Sequence, residues 1–324
     1  MRGWSRCRFG RVSEHIVHWD DLDSVHGEAG SISSHWTNLS RAAGSVRIRA
    51  NRIRVDPGKR STPLHAESDE EIFFILAGSG LAWQRADEPD AADETFEVRA
   101  GDCLVHLEGA EAHTLVAGDD GIDALAFGVG PDWTYAYFPR LSVIRAAHAI
   151  VDVDDRHQWP MEGALPEPEL PDPGPRPRRI VNVDELEPEQ WGRGDVSVEN
   201  RDLGVAAGSL NTGINYNRVG PRKLSVPPHC HSVEEEFFVV LDGEGVCILG
   251  EDEHPVRAGH VVARPASSRV AHAFRAGDGG LTMLAYGTRD PNDICYYPRS
   301  DKIYFRGVGL MTRVPRLDYW DGEE

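Results

Sequence analysis

Four side chains in the second half of this chain have the types and spacing needed to hold a metal ion: His229, His231, Glu236 and His272. Pro227-Pro228-His229-Cys230-His231 reads as the start of a strand, in which residues two apart point to one face. His229 and His231 then project together, and Cys230 projects the other way. A short polar turn follows, and Glu236 opens the next antiparallel strand, where it can face both imidazoles. His272, in Arg269-Val270-Ala271-His272-Ala273-Phe274, would come from a third strand across a barrel. Three neutral imidazoles and one carboxylate suit one divalent transition metal, Fe, Mn, Ni or Zn, at about 2.0–2.2 Å. Four protein ligands leave one or two positions open on a five- or six-coordinate ion, the geometry of a reactive site rather than a closed structural one. Isolated histidines in β-proteins are usually satisfied polar residues. Four ligand types at this spacing, in a doubled domain, are much harder to explain that way.

A second, degenerate set lies in the first half: His65, Glu67, Glu71 and His113. It either binds an ion or is a decayed site that only supports the fold. Two carboxylates facing each other without an ion repel, so one is expected to hold a proton. Around the complete set, Phe238, Val240 and Phe274 read as barrel lining that can shape an apolar substrate pocket. Tyr286 and Arg218 are candidates for orienting a polar substrate. Arg218 has a counterpart in Arg54, so a shared structural ion pair is an equal alternative. Cys230 reads as a core cysteine and His106 as structural or exposed. The acidic runs Asp69-Glu70 and Glu234-Glu235 read as solvated turns. No phosphate-binding glycine loop, dinucleotide fingerprint or Ser-His-Asp arrangement stands out.

The elements that must position these residues come in two copies. Ile16-Val17-His18-Trp19-Asp20-Asp21-Leu22 aligns with Ile180-Val181-Asn182-Val183-Asp184-Glu185-Leu186, and Ala42-Ala43-Gly44-Ser45 with Ala206-Ala207-Gly208-Ser209. His65 falls on His229, Glu71 on Glu236, His113 on His272 and Pro139-Arg140 on Pro298-Arg299. The spacing changes only where loops tolerate it, mainly at the polar stretch Arg85 to Glu94. Runs such as Ile72-Phe73-Phe74-Ile75-Leu76 and Phe237-Phe238-Val239-Val240-Leu241 are short and apolar, and glycine turns bound them. They read as strands, while long amphipathic helical segments are nearly absent. Many short strands with Gly, Pro and Asp turns imply a sandwich or barrel.

His229-x-His231-x4-Glu236-x6-Gly243 resembles the first motif of the cupins, with Gly220 somewhat further upstream than the pattern asks. Gly259-x5-Pro265 is similar to the start of the second motif. There Ser267 stands where a glycine is usual, and His272 comes a few residues late. The resemblance covers both repeats and implies an all-β chain of two tandem jelly-roll barrels, a bicupin. It also implies that His229, His231, Glu236 and His272 bind the metal. Glu235 is the rival carboxylate, because the family allows three or four residues after the second histidine; the spacing to Gly243 selects Glu236. The first copy has Glu67 where the second histidine belongs and Leu107 in place of the proline. Cupins include both oxygenases and Lewis-acid isomerases, decarboxylases and lyases, and the fold does not choose between them. The chain resembles oxalate decarboxylases and gentisate-type dioxygenases in architecture only. The former usually have full sites in both halves, and the latter work in the first half. The alternative is a non-catalytic ligand-binding, sensor or storage-type bicupin such as the seed globulins.

The bulk properties fit this reading. The 324 residues suffice for two domains. Apolar residues make up 40% and charged residues 27%, as in a globular protein. The net charge of −19 argues against a nucleic-acid binder. No apolar stretch is long enough to span a bilayer. Five scattered cysteines without a CxxC pair fit a reducing, cytoplasmic compartment. The expected partner is a small molecule, with a homodimer possible in such folds. The expected layout is a disordered tail at 1–13, with no apolar region to make it a secretory signal. A first cupin domain at 14–150, a proline-rich linker at 151–178 and a second cupin domain at 179–299 follow. Seven prolines between Trp159 and Pro177 favour an extended linker without regular structure. A tail at 300–324, with Tyr304, Phe305, Tyr319 and Trp320, is expected to pack on a barrel.

Overall fold

The computed structural model describes residues 15–86, 91–130, 135–146, 149–150 and 158–323. The tail expected at 1–13, the tip of the Arg85–Glu94 hairpin and the first part of the linker lie outside the described residues. The described chain is almost entirely β. No helix in it is long and apolar enough to cross a membrane.

Each half builds one eight-stranded and one four-stranded antiparallel sheet. In the second half the larger sheet runs Ile16–His18, His260–Arg264, Glu236–Leu249, His272–Gly287, Gly213–Val219, Val196–Asp202 and Glu189–Arg193, with Asp252–Arg257 also pairing Glu236–Leu249. The smaller sheet joins Cys230–His231 to Ile294–Tyr297, Lys302–Phe305 and Leu310–Thr312. The first half repeats this order, with Glu71–Ala86 and Glu111–Val129 at its centre. One strand of each larger sheet comes from the other half. Ile16–His18 pairs with His260–Arg264 of the second barrel, and Ile180–Asn182 pairs with Asp102–His106 of the first. Domain limits of 14–150 and 179–299 cut across this exchange.

The exchange explains why the central runs are apolar at every position instead of alternating. Phe237 and Val239 face a core shared by both barrels, and Phe238 and Val240 face the interior of the second barrel. In the first half Ile72 and Phe74 face the shared core, while Phe73 and Ile75 point into the first barrel. In the shared core Phe127 of one half stacks on Tyr286 of the other, with centroids 5.0 Å apart. Both faces of these strands are buried, so a slip of one residue would exchange one core for the other.

In the two acidic runs read as solvated turns, Glu70, Glu234 and Glu235 are buried instead, and Asp69 is half-buried. Glu235 accepts hydrogen bonds from Ser45 Oγ at 2.7 Å, Val46 N at 2.8 Å and Arg47 N at 2.6 Å. Glu70 does the same in reverse, accepting from Ser209 Oγ at 2.7 Å, Leu210 N at 2.7 Å and Thr212 N at 3.1 Å. Each carboxylate thus satisfies a loop of the opposite half, which local sequence cannot reveal. The linker also differs from the expectation. Residues Gln158–Gly163 form a short helix, because Pro160 sits in its first turn, where a missing N–H is no loss. Glu162 is buried there between Arg60, 2.8 Å away, and Arg140. Thr95 donates to Pro171 O at 2.9 Å and Arg176 to Asp102 at 2.7 Å, so the rest of the segment lies against the first barrel. Of the C-terminal aromatics, Tyr304 and Phe305 join the smaller sheet. Tyr319 and Trp320 touch each other but are 80% and 67% exposed, so they do not pack on a barrel.

Glu235→Ala would remove three hydrogen bonds that a buried carboxylate makes to the exposed loop at 45–47, whose amides water can then reach. It should lower stability by about 1–2 kcal/mol, read as a drop in the thermal and urea midpoints. An unchanged midpoint would show that these bonds do not hold the halves together.

Candidate metal centre

Backbone pairing brings the four side chains together. His229 and His272 form an antiparallel bridge, with His272 N donating to His229 O at 2.8 Å and His229 N to His272 O at 3.2 Å. Their rings lie 4.7 Å apart between centroids, and His231 lies 4.8 Å from His229. Glu236, first residue of strand Glu236–Leu249, reaches the same point. One ligand atom from each of His229, His231, Glu236 and His272 falls within 4.8 Å of all the others. Glu236 Oε2 is 2.7 Å from His272 Nε2 and 3.1 Å from His231 Nε2. Yet none of these three buried atoms has a partner with hydrogen-bond geometry. Buried polar atoms that converge without bonding are what a shared cation would satisfy, so the residues present fit a divalent ion.

The far side of the rings is held as well. His229 Nδ1 contacts Pro227 O at 2.9 Å, and His231 Nδ1 contacts Asp293 Oδ2 at 2.7 Å, leaving both Nε2 atoms for an ion. Asp293 is buried and also accepts from the amides of Ser232, Val233 and Glu234. Burial alone would raise its pKa, but these bonds, led by that to His231, hold it well below the usual range. Tyr297 stacks on His229 with centroids 5.5 Å apart. Arg306 pairs with the buried Glu234. Arg264, opposite Glu236 in the ladder, donates to Ser268 Oγ and Val270 O at 3.1 Å and so ties down the loop before His272. None of these five residues was evident from sequence. Asp293, Tyr297 and Arg306 follow the last barrel strand, far from any motif. Ser267 adopts a φ of 59°, which explains why a glycine is usual there; its hydroxyl donates to Ser232 O at 2.6 Å.

Among the four side chains, opposite charges offset one another. Burial pushes His229 down to about 3, helped by His272, so this imidazole stays neutral. Burial would lower His231 too, but Glu236 and Asp293 raise it to about 11. Glu236, despite burial, is held well below the usual range by His231 and His272.

The first barrel assembles less. His65, Glu71 and His113 come together, while Glu67 stands outside the group, with its Oε1 3.6 Å from His65 Nε2. Here His113 Nε2 and Glu71 Oε2 make a true hydrogen bond of 2.9 Å. Burial raises Glu67, with Glu71 adding to the effect, whereas the His113 bond holds Glu71 low against burial. His106 is buried, bonded to Glu111 at 3.0 Å and stacked on His113 at 3.8 Å. A cavity of about 650 Å³ opens over this incomplete set, lined by Trp36, Arg49, His65, Glu67, Glu71 and Trp159 among others.

The other sequence candidates separate by strand parity. Phe238 lies 5.5 Å from the His272 ring, and Val240 and Phe274 fill the barrel interior behind it. Tyr286 shares its face with Phe237 and belongs to the shared core, so it does not reach the centre. Arg218 is exposed outside the barrel, its guanidinium 5.5 Å from the Tyr216 ring centroid, so it cannot orient a bound substrate there. Glu235, the rival carboxylate, is engaged with the opposite half. Cys230 points away from the centre and is only half-buried, on the smaller sheet.

Comparison with known proteins agrees with this architecture. The Cupin_2 cupin-domain family matches residues 216–285, a span that contains all four ligand candidates. No curated protein sequence matches the chain. Among solved structures, it is similar to oxalate decarboxylase from Lactobacillus farciminis in a formate complex, at 16% identity and a TM-score of 0.60, covering 86% of this chain and 87% of that one. Oxalate decarboxylase from Bacillus subtilis at pH 4.6 is similar at 16% identity and a TM-score of 0.59, covering 87% and 78%. Another structure of the Bacillus subtilis enzyme, described for its Mn(II) centres, aligns at 15% identity and a TM-score of 0.59, covering 89% and 81%.

At neutral pH the apo centre carries the His231 proton, which an ion must displace to reach Nε2. Metal uptake at pH 7.5 should therefore release about one proton per ion, and apparent affinity should rise by about tenfold per pH unit between pH 6 and 9. Calorimetric titration in two buffers of different ionisation enthalpy measures this. Binding without proton release would mean that the ion does not use His231.

Proposed function

We propose that this chain, a bicupin of the cupin superfamily, is a metal-dependent enzyme acting on a small organic molecule at its second barrel. The observation that carries the proposal is the convergence of His231 Nε2, Glu236 Oε2 and His272 Nε2, buried and without hydrogen-bond partners. His229, His231, Glu236 and His272 would hold one divalent ion, with Mn the first candidate and Fe, Ni and Zn the others. Such an ion supplies a Lewis acid for a carbonyl or carboxylate oxygen. Asp293 holds the His231 ring in one orientation, and the Pro227 carbonyl does the same for His229. Phe238, beside His272, provides an apolar wall that excludes water from one side. Oxalate decarboxylases of similar fold make small carboxylates the first substrate class to test. At 16% identity that likeness is one of fold and does not choose between decarboxylation and oxygenation.

The test starts from protein purified without a His-tag. About one Mn, Fe, Ni or Zn per chain should survive gel filtration and be lost in His229→Ala/His231→Ala. As much metal in that variant as in the wild type, or none in the wild type even after anaerobic reconstitution, would sink the proposal. Small mono- and dicarboxylates are then screened for CO2 release with O2 uptake followed in parallel. Substrate-dependent O2 consumption would move the assignment to an oxygenase.

A second reading applies to the first barrel. Its hydrogen-bonded His113–Glu71 pair and its large cavity favour binding of a small ligand without a metal. His65→Ala should accordingly leave the metal retained per chain unchanged. Loss of one equivalent would instead assign an ion to that half.

A further inference from the structure

A third group of ligand-type side chains lies on the outer face of the first barrel, away from both barrel interiors. His26, on edge strand Val25–Ala29, stands directly opposite His35 on strand Ile32–Asn38. Their rings stack 4.3 Å apart, only 17° from parallel. Asp56 follows strand Ile48–Val55 and spans both: Oδ2 is 3.7 Å from His26 Nε2 and Oδ1 is 3.7 Å from His35 Nε2. One ligand atom from each of the three lies within 4.8 Å of the others. Two ligands about 2.1 Å from one tetrahedral ion sit about 3.4 Å apart, so the Asp56 oxygens need move only a few tenths of an ångström, whereas the stacked imidazoles must turn out of their near-parallel arrangement for both Nε2 lone pairs to meet one ion.

The carboxylate is already oriented. Ser33 Oγ donates to Asp56 Oδ2 at 2.5 Å, and the Asp56 amide donates to Ser33 O at 3.1 Å. This is the outer support that ion-binding carboxylates usually carry. The fold does not require the cluster. In the second copy the equivalent strands pair in the same register, Gln190 opposite Glu199, and Gly220 makes the same backbone bond to Ser197 O at 3.0 Å. None of the three histidine or aspartate positions is repeated there. Two features oppose ion binding. His26 Nε2 contacts Ser33 Oγ at 3.1 Å, and Arg54 stands opposite His35. The first is one part-exposed hydrogen bond that water can replace. Arg54 is exposed, and its long side chain can extend into water, where salt screens it.

We propose that His26, His35 and Asp56 form a surface site for a borderline divalent cation such as Zn(II), with solvent completing the coordination. Two imidazoles and a carboxylate are the ligand chemistry that prefers such ions over Mg(II) or Ca(II). The three ligands come from the edge strand, its neighbour and the turn after the third strand, so a bound ion would tie these three segments of the eight-stranded sheet together. The site is independent of the second-barrel centre.

The experiment is equilibrium dialysis of the full chain, without a His-tag, against Zn(II) at pH 7.5, followed by elemental analysis. Wild type should hold one more Zn(II) than His26→Gln/His35→Gln, and Asp56→Asn should weaken that extra equivalent by at least tenfold. His229→Ala/His231→Ala should keep it, which separates this site from the barrel centre. All three positions of the surface site are partly exposed, so the variants are expected to fold, and circular dichroism checks this. Equal Zn(II) content in wild type and His26→Gln/His35→Gln, or undiminished affinity in Asp56→Asn, would overturn the proposal.

Discussion

Everything at the candidate metal centre depends on a strand being buried on both faces. Glu236–Leu249 presents Phe237 and Val239 to the opposite half and Phe238 and Val240 to its own barrel. Neither face has solvent to accommodate a slip, so the register is fixed by two cores at once. That register sets which glutamate of Glu234-Glu235-Glu236 reaches the imidazoles. Glu236 faces the interior, and Glu235 projects from the opposite face and is locked by three hydrogen bonds to residues 45–47. The contact between halves thus selects the ligand within one barrel.

The two centres differ in how their polar atoms are satisfied, more than in backbone geometry. The His65–His113 and His229–His272 bridges are the same element with nearly the same hydrogen bonds. In the first barrel the glutamate and histidine satisfy each other. In the second, three atoms approach as closely but without bonding geometry. The first copy has Glu67 where the second has His231, a carboxylate in place of an imidazole that carries a proton until an ion displaces it. Burial then pushes that anion toward its protonated form, which is a poor ligand. The change in charge also removes the need for a partner such as Asp293. At the corresponding sequence position the first copy has Thr134.

Much of this was legible in the sequence because the barrel strands carry local signals. The repeat, the apolar runs and the His-x-His spacing place the fold and the four side chains before any coordinates are consulted. What escaped was non-local. Glu70 and Glu235 look like solvated turn residues because their partners lie about half a chain away, in the other copy. Tyr286 and Arg218 were drawn toward the centre by their residue types, but strand parity sends Tyr286 into the shared core and Arg218 to the surface. Proline count suggested an unstructured linker, while a proline in a first helical turn costs nothing.

The remaining asymmetry is between ligands and space. The complete ligand set sits in a barrel whose interior is filled by Phe238, Val240, Phe274 and Met283, and whose mouth is approached by Tyr297 and the Arg306–Glu234 pair. A cavity of about 650 Å³ lies over the incomplete set of the other barrel, whereas the second half's own cavity of about 620 Å³ lies away from the four candidate ligands, beside Glu244, Pro255 and Arg275. A site enclosed in this way favours a small substrate, because each added heavy atom must displace packed side chains. It also strengthens the electrostatics on which Lewis-acid chemistry depends, since fewer waters screen the ion and its carboxylate. In the first barrel the order is reversed: open volume and paired polar groups suit recognition of a larger molecule by contact, without a charge at the centre. One copy thus places its charged set in a packed interior, while the other satisfies its own polar groups beneath an open cavity.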